Sequence, residues 1–559
     1  MKVRIPQLIQ DLVLTQHKGL EPTMNVDVEN DDLYLDGPVS RRVAVLDFDE
    51  TTGHVVPGAR FLRPAAGREL GGYELRKPGD LAARDFNQVS VYATVLKTMN
   101  MFEHQDTLGR KIVWAFDAPQ LLVVPRAGEM HNAFYERESH SLQFFFFPSA
   151  RDGRTVYTSL SQDVVAHECT HAILDGIAPA LYDALAPQSL ALHEAVADLG
   201  AVVMSFRTRP LAEAVLQQTN GDIGAANAFS WIAEEFGAAG DPSGRTDALR
   251  SLGEYKTLDP ADPAHLVDRD EPHGLSELLT SALYAVVSRS YAQLRPLQER
   301  EHGRNAAAWR EALFRAAERF KRLVFRALDY LPPGEVSFAD YARAIIACDQ
   351  ASHPQQGQER DWIRDELVKR HAVARRADLE VETDYEHAAL RDMDLEALKE
   401  SDWEAYGFVG RWRELLRVPA DIPFVVHPRC HVNKLTYLGQ GGREERAELL
   451  LKVSWDHLEP NGADFPEAPQ RRIRAGTTLA IDWQSRHVRA ILTSDLGEEQ
   501  QAARGRALRQ LAESGRLQVG RRALGPDGRA LPGTIMAAAR NGVLRVHGAA
   551  RTLHIARDA

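Results

Sequence analysis

Two histidines four residues apart, with a glutamate directly after the first, form the pattern H-E-x-x-H at His167, Glu168 and His171. On a helix such a pair shares one face, so both imidazoles can offer a ring nitrogen to a single metal ion. Glu168 falls in the neighbouring sector, where a carboxylate can take a proton from a water attacking a substrate. A catalytic zinc site takes a third protein ligand and keeps one position open. Glu194, in the segment Leu192–Asp198, meets that need, and Asp198 lies one turn later, placed to accept a hydrogen bond from a ligating histidine. The chemistry these residues fit is metal-assisted hydrolysis.

These side chains need helices to hold them, and apolar residues three and four apart predict helices over 163–174, 190–206, 275–294, 306–331, 338–348 and 360–373. Before them, short β-branched runs at 43–48, 112–114 and 121–124 and the aromatic run 144–147 read as strands, interrupted by one helix carrying Val91, Val95, Met99 and Phe102. A charged junction at Arg375 and Arg376 leads into an acid-rich stretch and then a second mixed region, with strands at 424–426, 447–453, 477–482 and 488–492 and a helix at 498–513. The fold class expected is α+β.

The segment Asp163–His171, followed by His193–Asp198, resembles the thermolysin-type zinc metallopeptidases. Further segments follow in the order of that family. Asn132 and Ala133 resemble its edge strand, which holds the substrate backbone, and Tyr182 stands where the family has an oxyanion-stabilising tyrosine. Leu249 and Arg250 resemble its specificity-pocket and carbonyl-contacting pair, while Asp268 and His273 resemble its catalytic aspartate and histidine. The resemblance covers about residues 41 to 374. It implies a two-lobed catalytic unit, with a β-rich amino-terminal lobe (41–160) and a helical zinc-binding lobe (161–374), preceded by an arm (1–40) and followed by an additional α+β domain (375–559). It also implies one zinc ion, held by His167, His171 and Glu194, with Glu168 as the base. Val164, Leu249 and the aromatic run 144–147 would make an apolar pocket preferring a bulky residue on the primed side of the cut.

Several features depart from the family pattern. Asp163 and Glu235 match calcium-binding carboxylates, but Ser205, Ser230 and Ile232 stand where others would be, too few charges for a strong calcium site. His193 replaces an asparagine and, as a neighbour of Glu194, is expected to be structural. Cys169, between the two histidines, is expected to pack in the helix core. His427–His431 has no second Cys/His pair at finger spacing, so it reads as a strand end with a polar turn rather than a zinc site.

Composition narrows the function further. The 559 residues are 44% hydrophobic and 26% charged, which describes a globular chain long enough to bury a large core without metal staples. A net charge of −12 lacks the basic footprint of a nucleic-acid binder. Three scattered cysteines, no signal-like amino terminus and no long apolar run lead us to expect a cytoplasmic protein with neither membrane nor nucleic acid as partner. The expected partner is a peptide or protein substrate, with a regulatory partner acting through the carboxy-terminal domain. The alternative is a catalytically silent or partner-gated protease-fold binding protein that works through that domain.

Overall fold

The computed structural model describes residues 2–10, 21–29, 33–49, 51–65, 69–224, 227–232, 250–355, 357–382, 385, 390, 393–438, 442–462, 464–519 and 535–548. It is mixed α+β. Strands β1 (Val3–Leu8) and β2 (Thr23–Val28) pair as an antiparallel hairpin. Strands β3 (Tyr34–Leu35), β4 (Val39–Ser40), β5 (Val43–Val45), β6 (Leu121–Val124), β7 (Ala133–Glu136) and β8 (Ser141–Phe144) form a six-stranded sheet in the order β3-β4-β5-β6-β8-β7. This places β7 at an edge. The sheet therefore starts at Tyr34, before the boundary at 41 expected from sequence. Residues 112–114, expected as a strand, are irregular, although Ile112 and Trp114 are buried, because they run as a loop against the helices rather than beside another strand.

Helix α1 (Arg84–Glu103), which connects β5 to β6 along the chain, buries most of its residues, with Val89, Tyr92, Val95, Leu96, Met99 and Phe102 in the main core. Helices α2 (Gln162–Ile177) and α3 (Pro187–Arg207) are buried on almost every face, as expected for helices at the centre of a large core. Among the described residues α3 is the one helix long and apolar enough to cross a membrane, and its apolar stretch is wholly buried in the protein. Pro187 opens it, at the position where a missing N–H costs nothing.

The approach of α2 to α3 depends on Gly200. A Cβ there would lie 2.3 Å from Thr170 Oγ1 on α2, and that hydroxyl is already committed to the Ala166 carbonyl at 2.7 Å. Around this pair pack α4 (Pro272–His302), α5 (Ala306–Phe325), α6 (Phe338–Ser352) and α7 (Gln358–Lys369). Helix α6 is fixed at its start by a capping box, in which the Ser337 hydroxyl and the Asp340 carboxylate each take the other's backbone N–H.

After α7 a second hydrophobic core begins at Leu390. It lies on a sheet built from β9 (Phe424–Val426), β10 (Cys430–Tyr437), β11 (Arg443–Pro460), β12 (Gln470–Asp482), β13 (Val488–Thr493), β14 (Leu517–Val519), β15 (Ile535–Arg540) and β16 (Val543–His547). The long antiparallel pair β11 and β12 divides its residues by parity. Leu449, Leu451, Val453 and Trp455, with Ala475, Leu479 and Ile481, face the second core and the helix α8 (Asp402–Arg411). Leu450 and Ala480, of the other parity, join the main core. One sheet thus closes two cores.

The seam between this sheet and the helices is polar and buried. Lys434 Nζ sits 2.7 Å from both Asp329 and Glu448, and the Tyr330 hydroxyl donates to Glu448 at 3.0 Å. Arg504, on α9 (Glu498–Glu513), bridges Glu335 at 3.2 Å and Glu459. Burial opposes the charge on Asp329, but Arg110 and Lys434 hold its carboxyl well below the usual range.

Two outcomes follow from this packing. Gly200→Ala should overpack the α2–α3 contact by about 1–3 kcal/mol, lowering the thermal midpoint, and Thr170→Ala in the same chain should restore part of the loss. Lys434→Met should cost about 3–5 kcal/mol by removing the cation that two buried carboxylates share, leaving Asp329 to Arg110 and Glu448 to Arg489. Since the folded pKa of Asp329 is depressed, its contribution is present above the ordinary carboxylate range and is lost as pH falls below it. Thermal melts carried from pH 7 down to about pH 2 should therefore show wild type losing stability progressively at the acid end and Lys434→Met, already weakened, losing less.

Candidate metal centre

The side chains singled out on α2 and α3 converge. His167 Nδ1 lies 2.9 Å from Asp198 Oδ1, so this nitrogen carries the hydrogen and donates it, leaving Nε2 as a lone pair. The Nε2 atoms of His167 and His171 face each other at 3.0 Å. Glu194 closes the third side, with Oε1 3.4 Å from His171 Nε2 and Oε2 3.7 Å from His167 Nε2. A tetrahedral ion with bonds of about 2.0–2.1 Å would hold two such nitrogens about 3.3 Å apart, so the donors are spaced within a few tenths of an ångström of what an ion needs. Ligand atoms of His167, Glu168 and His171 all lie within 4.8 Å of one another, and among the described residues no other such group occurs. The buried cluster is compatible with a metal ion.

Its electrostatics point the same way. Burial disfavours a charged His167, but the Asp198 hydrogen bond and the carboxylates of Glu168 and Glu194 outweigh burial and hold its pKa above the ordinary value. Three carboxylates crowd two imidazoles in a buried site, and a bound cation would relieve that field.

His193 packs against His171 rather than pointing at the donor cluster. Its Nδ1 lies 2.7 Å from His171 Nδ1, with the rings stacked at 4.7 Å. When His171 offers Nε2 to an ion, its Nδ1–H donates to His193, so His193 fixes the ring and tautomer of a ligand as Asp198 does for His167. Cys169 takes the expected packing role: it is fully buried, its thiol points to the Val95 carbonyl on α1, and burial raises its pKa.

Glu168 connects this cluster to the edge strand β7, its Oε2 accepting the Tyr135 N–H at 3.0 Å. Asn132, just before β7, is buried and accepts the amide of Ala133 with its own side chain at 2.8 Å. A clamp unseen in the sequence locks β7 to α2. Asp175, one turn after His171, accepts from the Tyr135 hydroxyl at 2.7 Å and from Arg137 Nε at 2.8 Å. The 167, 171, 175 spacing was its available signal. The Arg137 guanidinium covers the Tyr182 ring at 4.2 Å, and the Tyr182 hydroxyl accepts the Arg137 amide and donates to Glu138, both at 3.3 Å.

Asp268 and His273 lie at the start of α4, where the carboxylate lying at 2.8 Å from His273 Nδ1 belongs to Glu271, the helix N-cap. Asp268 accepts the amide of Asp270 at 2.9 Å. Partial burial opposes ionisation of Glu271, but the His273 ring and the amides of His273 and Gly274 bring its carboxyl down to about 2. Val164 is buried in the first turn of α2. Leu249 and Glu235 lie outside the described residues, and the backbone of Arg250 pairs with Ile232 in a two-stranded ladder.

Asp163, the carboxylate considered for calcium, accepts from the Gln10 amide at 2.5 Å and the Ser205 hydroxyl at 2.9 Å. Neutral donors from the amino-terminal segment and α3 thus satisfy it.

No protein-family model and no curated protein matches this chain.

Removing the outer support should weaken metal binding without removing a ligand. Asp198→Ala should lower affinity about 10- to 100-fold. His193→Phe, which keeps a ring but removes the acceptor nitrogen, should cost about tenfold. Competitive titration against a chromophoric chelator reads both, and wild-type affinity in each variant would show that these contacts do not support the ligands.

Proposed function

We propose that this chain is a zinc-dependent endopeptidase of two-lobed, thermolysin-like layout, with zinc held by His167, His171 and Glu194. The observation that carries the reading is the meeting of three buried donors with a base, Glu168, that also touches the backbone of an edge strand. Two imidazoles and one carboxylate at tetrahedral spacing suit zinc better than calcium or magnesium, which prefer oxygen ligands.

A zinc ion bound there supplies Lewis acidity, making a water acidic enough to react near neutral pH and polarising a substrate carbonyl. The remaining work falls to the chain. A peptide laid along β7 would pair with strand edge N–H and C=O groups, bringing its carbonyl beside Glu168. Glu168 takes a proton from the attacking water and returns it to the departing amine. Tyr182 and His273 are the donors assigned to the developing negative charge, with Glu271 at His273 Nδ1 as the carboxylate that orients that ring. Arg137 and Asp175 hold Tyr135 and Tyr182 at their places along the strand.

Glu168→Gln should abolish cleavage of a fluorogenic peptide library while one zinc per chain remains by metal analysis. His273→Ala should retain weak activity, lowered about 10²- to 10³-fold. Unimpaired hydrolysis by Glu168→Gln would overturn the assigned base, and wild-type protein without stoichiometric zinc would overturn the centre itself. After chelation, zinc alone should restore both activity and thermal stability, because Asp163 is satisfied by Gln10 and Ser205.

A further inference from the structure

Away from the metal centre, a cavity of about 710 Å³ opens between the carboxyl end of α2, the turn Pro332–Glu335 and the sheet of the carboxy-terminal region. Its size falls within the range of small-molecule sites. Seven Arg and Lys side chains line it against four Asp and Glu, in a chain whose net charge is −12. The cationic wall has a simple origin. Lys452 on β11, Arg472 and Arg474 on β12, and Arg545 and His547 on β16 alternate along their strands, so one pleated face presents them together, with His427 beside Lys452.

The acidic groups of the lining are already engaged. Asp329 pairs with Arg110 and Lys434, Glu335 with Arg504, and Asp183 with Arg137 at 3.1 Å. Asp456 is shared between Arg472 at 2.9 Å and Arg474 at 3.5 Å. Among the described residues half-buried Lys452 and exposed Arg545 form no ion pair, so neither cation is neutralised by a neighbouring carboxylate. The repulsion registers on four of the lining groups. Burial, then Lys452 and Arg474, press His427 down to about 4. Burial, then Arg472 and Arg474, lower Arg545, and burial with Arg545 lowers His547. Lys452 itself falls to about 8, burial and the nearby cations outweighing Asp329.

The opposite wall is aliphatic, with Val113, Ile177, Pro179 and Pro332, and no Phe, Tyr or Trp lines the cavity. Stacking of a nucleobase has no partner there. We propose that this cavity binds a compact organic polyanion, an aliphatic or sugar-like body carrying at least two phosphate or carboxylate groups, held by Lys452, Arg472, Arg474 and Arg545. The site is separate from the metal centre and does not depend on the peptidase reading.

The test is calorimetric titration of the full zinc-loaded chain with fructose 1,6-bisphosphate and with citrate, at constant ionic strength. At least one probe should bind, with affinity falling as salt rises, and the probe that binds tells phosphate from carboxylate chemistry. Lys452→Gln and Arg545→Gln should each weaken binding at least tenfold. Arg509→Gln, outside the cavity, should leave it unchanged. Arg545 is exposed, so its replacement keeps the test valid should Lys452→Gln misfold. In anion-free buffer Lys452→Gln should melt no lower than wild type, since it removes repulsion, and the probe should raise the wild-type midpoint alone. Absence of binding by both probes, or equal binding by wild type and both cavity variants, would overturn the proposal.

Discussion

Six ionisable side chains are buried where two apolar helices cross, and the surrounding structure follows from how that burial is made tolerable. His167, Glu168, His171, His193, Glu194 and Asp198 are all withdrawn from water on α2 and α3. Burying such groups is costly unless each is paired or shares a cation. The helices meet closely because Gly200 lets Thr170 nestle against it, and that closeness lets Glu194 reach both imidazoles. Asp198 and His193 then take the outward-facing nitrogens, and Tyr135 donates to Glu168 from the sheet. The arrangement is compatible with a metal ion, which would supply the positive charge the carboxylates lack.

The parts of this site legible in the sequence share one property: local spacing on a helix. His167 and His171, and Glu194 and Asp198, are each one turn apart, and the helices carrying them run over the expected segments with a few residues added at each end. What escaped depends on contacts between distant segments. His193 was discounted because it faces away from Glu194, yet that direction leads to His171. Gln10 reaches Asp163 across 153 residues from the end of the amino-terminal hairpin, and Glu271 rather than Asp268 meets His273 because it is the helix N-cap. The strands at 424–426 and 488–493 were readable from β-branched runs, whereas β10 hid behind its Lys, Asn and His residues. His431 and Asn433 face outward, and buried Lys434 is admissible because Asp329 and Glu448 satisfy it.

The carboxy-terminal region takes part in two cores at once. It reads in sequence as a separate domain joined at a charged boundary, and it does own a second hydrophobic core. Yet one face of its sheet also completes the main core, and the Lys434, Asp329 and Glu448 cluster lies between the two. Buried ion pairs contribute little net stability over apolar packing but specify one arrangement, since any slip leaves a charge stranded. The same one-sided alternation that fastens the sheet at one end gathers the cations of the cavity at the other.

The turn Pro332–Gly334 is wedged into the β11–β12 hairpin: a Cβ on Gly334 would lie 2.7 Å from the Arg474 carbonyl, and one on Gly476 would meet the Pro333 ring. That interlock has a consequence for biosynthesis. At about 5–20 residues per second, a ribosome that has finished the last helix before the charged junction needs roughly five to twenty seconds to deliver the strand that receives the wedge. Throughout that interval the helical body waits with a polar seam half-formed and apolar surface open. Premature termination or proteolytic nicking between the two would release a sticky fragment rather than a smaller working protein.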